Sequence, residues 1–211
     1  MAEAARTALR HMRAYCDRHG YTLVVHGGGD VDRSRPAAWS KLKALKAAMG
    51  EHDWVMYLDA DAVVMNKGVK LERFTAAASP HHNLIITEDR SGVNTGVFLL
   101  RSGAWAQWLL DTWWAQDHLV SCKCLFEYEQ RGLHSMLHTK VWTDAGLPLW
   151  DGDVADLWSH VLVVPQCAMN SYSLSPLYPW FGRGGAAQYA ASQYHQGDFI
   201  LHFAGYKGPA K

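Results

Sequence analysis

Apolar residues recur at helical spacing over residues 5–15, and the short run YTLVV at 21–25 follows before the turn-forming HGGGD. This pattern predicts an opening amphipathic helix and then a short buried strand. Helical spacing returns over 38–49 with lysines on the outer face, and WVMYL at 54–58 reads as a second strand. The β-rich runs at 83–87 and 97–100 predict further strands, while 105–114 and 126–137 carry helical periodicity. Between 139 and 165 the pattern weakens into loops rich in Gly, Pro and Asp, and 199–203 supplies one last short strand. Alternating helices and strands favour an α/β fold with a sheet flanked by helices. No repeat, linker or low-complexity segment interrupts the chain, so residues 1–211 are expected to form one domain.

Composition narrows the function classes. Twenty basic side chains balance twenty acidic ones, so the broad positive field on which nucleic-acid binders rely is missing and no nucleic-acid partner is expected. Ten Trp and nine Tyr are more aromatic surface than a core of this size needs, and sugar faces pack well on such rings. The four cysteines, Cys16, Cys122, Cys124 and Cys167, form no zinc-ligand spacing and are compatible with free or paired thiols. No apolar stretch approaches the roughly eighteen residues that span a bilayer, and the first residues lack a secretory apolar core. The segment is therefore expected to be soluble, with an anchor or leader in a longer parent equally compatible.

The sharpest chemical signal is WVMYLDADAVVMN, in which an apolar strand runs into Asp59, Ala60 and Asp61. Side chains two apart in an extended chain share a face, so both carboxylates can meet one hard divalent cation at the strand end where α/β sheets bind ligands. A solvated acidic turn after a core strand is the plainer reading. Asp-x-Asp-x-Val after an apolar strand also opens haloacid-dehalogenase-like phosphatases, where the first Asp is a nucleophile, but there the motif follows the first strand. In GDFILHFAGYKG, His202 ends a strand and would complete a carboxylate site for manganese. Gly205 would let backbone N–H groups approach a phosphate, and Lys207 would set a charge against a departing diphosphate. Asn94, Thr95 and Gly96 form a loop leading into a strand, placed to hydrogen-bond sugar hydroxyls. Glu129 and Gln130 open a helical run where a polar group could sit near an anomeric carbon. Lys41 starts a helix and either contacts phosphate or lies in solvent.

In order, the blocks HGYTLVVH, AAWSKLKALKAAM, WVMYLDADAVVMN, NLIITEDRSGVNTGVFLLR, WLLDTWW, EYEQRGL, NSY and GDFILHFAGYK resemble glycosyltransferase family 34, from about Tyr15 to Lys207. The resemblance implies a GT-A fold with a mixed central sheet flanked by helices. It implies manganese (or magnesium) bridging the Asp-x-Asp motif to a UDP- or GDP-sugar, and transfer of a hexosyl or pentosyl unit to a glycan acceptor with retention. By this resemblance Asp61 and His202 ligate the metal and Asp59 contacts the ribose and metal shell. Lys207 stabilises the departing phosphate, Gln130 lies beneath the donor sugar, and Asn94 and Glu129 hold sugar hydroxyls. The glycogenin-like family 8 shares the Asp-x-Asp, an Asn-x-Gly loop and the His-Phe-x-Gly-x-Lys ending. Three departures stand out: the chain opens on a helix, so the first strand of the sheet is expected upstream; Tyr128 precedes Glu129 and Gln130 where plant members show Asp-Asp-Gln; and Tyr206 replaces a common cysteine. Residence in the Golgi membrane system follows by analogy, and a nucleotide-sugar-binding relic without turnover is the alternative to an active enzyme.

Overall fold

The computed structural model describes residues 2–89, 92–120, 129–138, 154–173 and 191–204. The opening helix, α1 (Ala2–His19), buries Ala8, Tyr15 and Cys16 along one stripe with Met12 partly covered beside them. It stops at Gly20, whose φ of +72° lets the Tyr21 N–H turn back to the Cys16 carbonyl at 3.0 Å. After a 3-10 turn at Ala37–Trp39 comes α2 (Ser40–Ala48), which leads into β1 (Trp54–Leu58). β3 (Leu84–Asp89) and β4 (Gly92–Arg101) follow α3 (Glu72–Thr75), and β5 (Val161–Val164) comes after α4 (Ala104–Trp114), α5 (Asp117–Val120) and α6 (Gln130–His138).

These strands form a mixed sheet in the order β1-β4-β3-β5, antiparallel except for the β3/β5 pair. Both faces are covered, and the strict alternation of strand side chains divides the core in two. Leu84, Ile86, Phe98 and Leu100 face α2, α4 and α6, whereas Ile85, Val97 and Leu99 face α1, α3 and a smaller second sheet. Leu99 is 0% exposed, a position where truncation to alanine costs about 2–5 kcal/mol. The second sheet joins β2 (Ala62–Val64), β7 (Ile200–His202) and β6 (Ser171–Tyr172) in the order β2-β7-β6. α7 (Gln166–Met169) packs beside it and buries Met169.

Three expectations are corrected. Residues 21–25 are not a strand, and Val24 and Val25 are 53% and 54% exposed. No described strand pairs with this segment, and an extended run without a ladder partner leaves its backbone groups to water. It faces β1 across a cleft of about 960 Å³ that runs to Asp59 and Ala60. The weak pattern over 139–165 hides a strand, because β5 is only four residues long and half-exposed, while its parallel pairing with β3 is long-range. Asn94, Thr95 and Gly96 lie inside β4, at a register shift opposite Ile86 and Thr87, rather than in a loop before it. The part of the predicted 126–137 helix before residue 129, residues 139–153, and Gly205, Tyr206 and Lys207 lie outside the described residues. Among the described residues no helix is long and apolar enough to cross a membrane.

Candidate functional site

The Asp-x-Asp motif is the hinge between the two sheets. β1 ends at Leu58, the Asp59 N–H bonds the Gly96 carbonyl at 2.8 Å, and the Ala62 N–H returns to the Asp59 carbonyl at 3.0 Å. Ala60 and Asp61 are thus the central residues of a tight turn that redirects the chain into β2. The two carboxylates converge because the chain turns, and not through the extended-chain alternation expected from the sequence. β2 pairs antiparallel with β7 in the register Ala62↔His202, and the Phe203 N–H bonds the Asp61 carbonyl at 3.0 Å. That register carries His202, 141 positions on from Asp61, to its side. Ligand atoms of Asp59, Asp61 and His202 lie within 4.8 Å of one another, with His202 Nε2 3.3 Å from Asp61 Oδ1.

Gly96 forms the floor of this cluster. A Cβ there would stand 2.3 Å from His202 Cε1 and 2.9 Å from Asp59 Oδ2, so glycine is required for close approach and not for an unusual φ.

Beside the triad lies a saturated ionic cluster. The Lys41 ammonium, 4% exposed, meets Glu129 Oε1 at 2.6 Å, Asp59 Oδ1 at 3.3 Å and the Thr95 carbonyl at 3.0 Å, over the Tyr57 ring. Its three N–H donors are all occupied. Lys41 therefore does not lie in solvent; it is an internal cation between two carboxylates. Burial by itself would lower its pKa, but Glu129 and Asp59 outweigh that and hold it above the ordinary lysine value. Thr95 Oγ1–H donates to Glu129 Oε1 at 2.9 Å, and the Thr95 N–H donates to Gln130 Oε1 at 3.1 Å. The Trp113 indole donates to the Glu129 carbonyl at 2.7 Å, close against Gly132, where a Cβ would stand 2.6 Å from the ring. The Tyr57 hydroxyl donates to Asp59 Oδ1 at 2.7 Å; burial first, then the Asp59 charge, push its pKa well up and keep it a phenol.

Asn94 uses both ends of its amide. Its nitrogen donates to Tyr172 Oη at 2.7 Å and Asp89 Oδ2 at 3.0 Å, while its oxygen accepts from the Gly96 N–H and from Asn170. All four hydrogen bonds go to protein, so Asn94 fastens the floor of the site and has no capacity left for a sugar hydroxyl. Asn170, Tyr172, Asp89 and Tyr57 belong to the same assembly; Asn170 and Tyr172 stand in the NSY block of the family resemblance, but none of the four was given a role from the sequence. Nothing in their local spacing marks them, since they meet only through the pairing of β3, β4, β6 and β7.

The donor set suits a hard divalent cation. Three carboxylates face one ammonium, an excess of negative charge, and an imidazole nitrogen joins two carboxylate oxygens, a mixed set that manganese accepts. The His202 ring beside it, ahead of the cost of burial, holds the Asp61 carboxyl below its usual range and keeps it an acceptor. Asp59, Asp61, His202, Lys41, Asn94, Thr95, Gly96, Glu129 and Gln130 are thus brought together at one strand end.

The chain is 24% identical over 237 residues to an uncharacterized alpha-1,2-galactosyltransferase of Schizosaccharomyces pombe, covering 95% of this chain and 56% of that protein. It is 26% identical over 176 residues to a probable alpha-1,6-mannosyltransferase, MNN10, of Saccharomyces cerevisiae, covering 64% and 43%. The chain therefore spans only about half the length of these relatives. Among solved structures, a glycosyltransferase involved in glycosylation of the major capsid of PBCV-1 superposes with a TM-score of 0.57 at 17% identity, covering 97% of this chain and 87% of that one. The shared architecture is the GT-A fold. A family model described as galactosyl transferase GMA12/MNN10 matches residues 2–78 and 72–209, and with that match the chain belongs to this family of glycosyltransferases.

Proposed function

We propose that this protein transfers a hexosyl or pentosyl unit from a nucleoside-diphosphate sugar to a glycan acceptor with retention of anomeric configuration, using a divalent cation. The observation that carries the reading is the convergence of Asp59, Asp61 and His202 over Gly96 at the hinge between the sheets. Asp61 and His202 would hold the ion, with Asp59 at its edge. When bound, manganese or magnesium supplies Lewis-acid stabilisation of charge developing on the diphosphate. Family membership supports a UDP- or GDP-sugar as donor, Lys207 as a cationic contact to the leaving diphosphate and Gly205 as its backbone neighbour.

Gln130 is the residue best placed to meet the donor sugar. Its oxygen is held by Thr95, while its amide nitrogen has no protein partner among the described residues. Glu129 is clamped by Lys41 and Thr95 at 4% exposure, a poor setting for a nucleophile that must reach an anomeric carbon. Retention is accordingly assigned to same-face attack guided by the departing phosphate. A covalent sugar adduct on Glu129, detected by mass spectrometry after incubation with a slow donor, would overturn that assignment.

The deciding experiment measures release of nucleoside diphosphate from a panel of UDP- and GDP-sugars with Mn²⁺, with and without sugar acceptors. Acceptor-stimulated release supports a transferase. Binding of donor without release would mean a relic, and inorganic phosphate as product would mean a phosphatase. A Golgi location is proposed by analogy with the family and is checked by localising the full-length protein in its own cells.

A further inference from the structure

His202 has two ring nitrogens, and which one can bear a cation depends on which one carries the proton. The answer is written in the side chains beneath the ring. A carboxylate only accepts, so the Asn94 atom 3.0 Å from Asp89 Oδ2 is the amide nitrogen. A backbone N–H only donates, so the Asn94 atom 2.9 Å from the Gly96 nitrogen is the amide oxygen. The two ends of Asn94 are set independently, and they agree. Asn170 must then present its nitrogen to Asn94 Oδ1 at 2.9 Å, with a second donation to Thr87 Oγ1 at 3.1 Å. Its oxygen is left facing His202 Nδ1 at 2.8 Å. Asn170 is fully buried, so water does not compete for that oxygen.

We propose that Asn170 is a positioning residue that holds neutral His202 as the Nδ1–H tautomer, so that the Nε2 lone pair points at Asp61 as a cation ligand. The direction of each bond is set in turn, from Asp89 as acceptor and the Gly96 N–H as donor through Asn94 and Asn170 to His202, and reversing any amide would set two acceptors or two donors against each other. At the far end, Nε2 and Asp61 Oδ1 stand 3.3 Å apart, two lone pairs that call for positive charge between them. The fixed tautomer thus builds the demand for a cation into the protein. A partner on the second nitrogen of a metal-binding histidine sets ring orientation and raises ligand basicity, and its loss typically weakens metal binding about 10- to 100-fold. The consequence for metal binding rests on the reading in the preceding subsection, whereas the tautomer does not.

The test reads the tautomer directly. Metal-free protein with ¹⁵N-labelled histidine is examined by long-range ¹H–¹⁵N correlation at about pH 9, above the ordinary imidazole value of ~6.5. Wild-type His202 is expected to carry its proton on Nδ1, and Asn170→Leu is expected to show the Nε2–H form that free imidazole prefers. Mn²⁺ alone, titrated near neutral pH with the free ion followed by electron paramagnetic resonance, should bind Asn170→Leu roughly 10- to 100-fold more weakly than wild type. An Nε2–H form in the wild type overturns the inference, and so does equal Mn²⁺ affinity in the two proteins. If Asn170→Leu fails to fold, the wild-type spectrum still decides. A wild type that holds the Nδ1–H form but binds no Mn²⁺ keeps the tautomer assignment and removes the metal reading instead.

Discussion

Asp59 and Asp61 stand two residues apart in one turn, yet their surroundings are opposite. Asp59 receives the Tyr57 hydroxyl and the Lys41 ammonium, and its neighbours Lys41 and Glu129 have side chains only 4% and 5% exposed. Asp61 has a side chain 53% exposed, and its carboxylate faces the His202 ring. In the first half every donor of Lys41 has its acceptor, and only Asp59, with a side chain 31% exposed, reaches out of the cluster toward a ligand. In the second half an imidazole lone pair and a carboxylate face each other and open water. A buried ion cluster of this kind frames a site, and the unsaturated pair beside it is where a ligand gains the most.

The largest effect is expected from breaking the closed half. Lys41→Met leaves Glu129 buried without its cation and should cost about 3–5 kcal/mol of stability, measured by urea unfolding. Its pH dependence follows from the raised pKa of Lys41. The stabilisation is fully present below the unfolded lysine value of ~10.4 and is lost as pH rises through the higher folded value. The wild-type minus Lys41→Met difference should therefore stay level between about pH 6 and 9 and shrink only in stronger alkali. Decline nearer neutrality would contradict the paired ammonium.

Breaking the open half should leave the fold and remove the chemistry. Asp61→Ala is expected to lower Mn²⁺-dependent turnover by about 10²–10³-fold, with a melting temperature within a few degrees of wild type, as for a surface substitution. A large loss of stability would mean that Asp61 belongs to the frame. Gly96→Ala sharpens the contrast, since its Cβ collides with both halves at once. Overpacking of this kind costs about 1–3 kcal/mol, read by urea unfolding, and Mn²⁺ affinity, read by calorimetric titration, should fall with it because His202 and Asp59 are forced apart. The smallest effect is expected at Tyr57→Phe, which removes one hydrogen bond to the Asp59 carboxylate while Lys41 stays. It should cost about 1.5 kcal/mol and leave turnover nearly unchanged.

Much of the frame was legible in local pattern. The helix over 38–49, the strands at 54–58 and 97–100 and the helix over 105–114 all appear, as α2, β1, β4 and α4, because apolar periodicity is set by the pitch of the element itself. Residues 21–25 misled because a run of β-formers needs a neighbouring strand, and no residue inside the run supplies one. β5 was hidden for the converse reason: a partner in β3 makes a strand of four residues whose own pattern is weak.

The sequence by itself determined which residue types could bind a cation, and it placed Asp59 and Asp61 at the end of an apolar strand. Only the tertiary structure decided how they are used. The turn at Ala60 and Asp61 brought the two carboxylates together, the β2/β7 register brought in His202, and burial turned Lys41 from a surface contact into an internal counter-ion. Side-chain chemistry is a property of each residue, but the register of a ladder and the direction of a hydrogen bond are properties of pairs far apart in the chain. That is why a role for Asp61 could be read in advance, whereas Asn170, though part of the NSY block, could be given none.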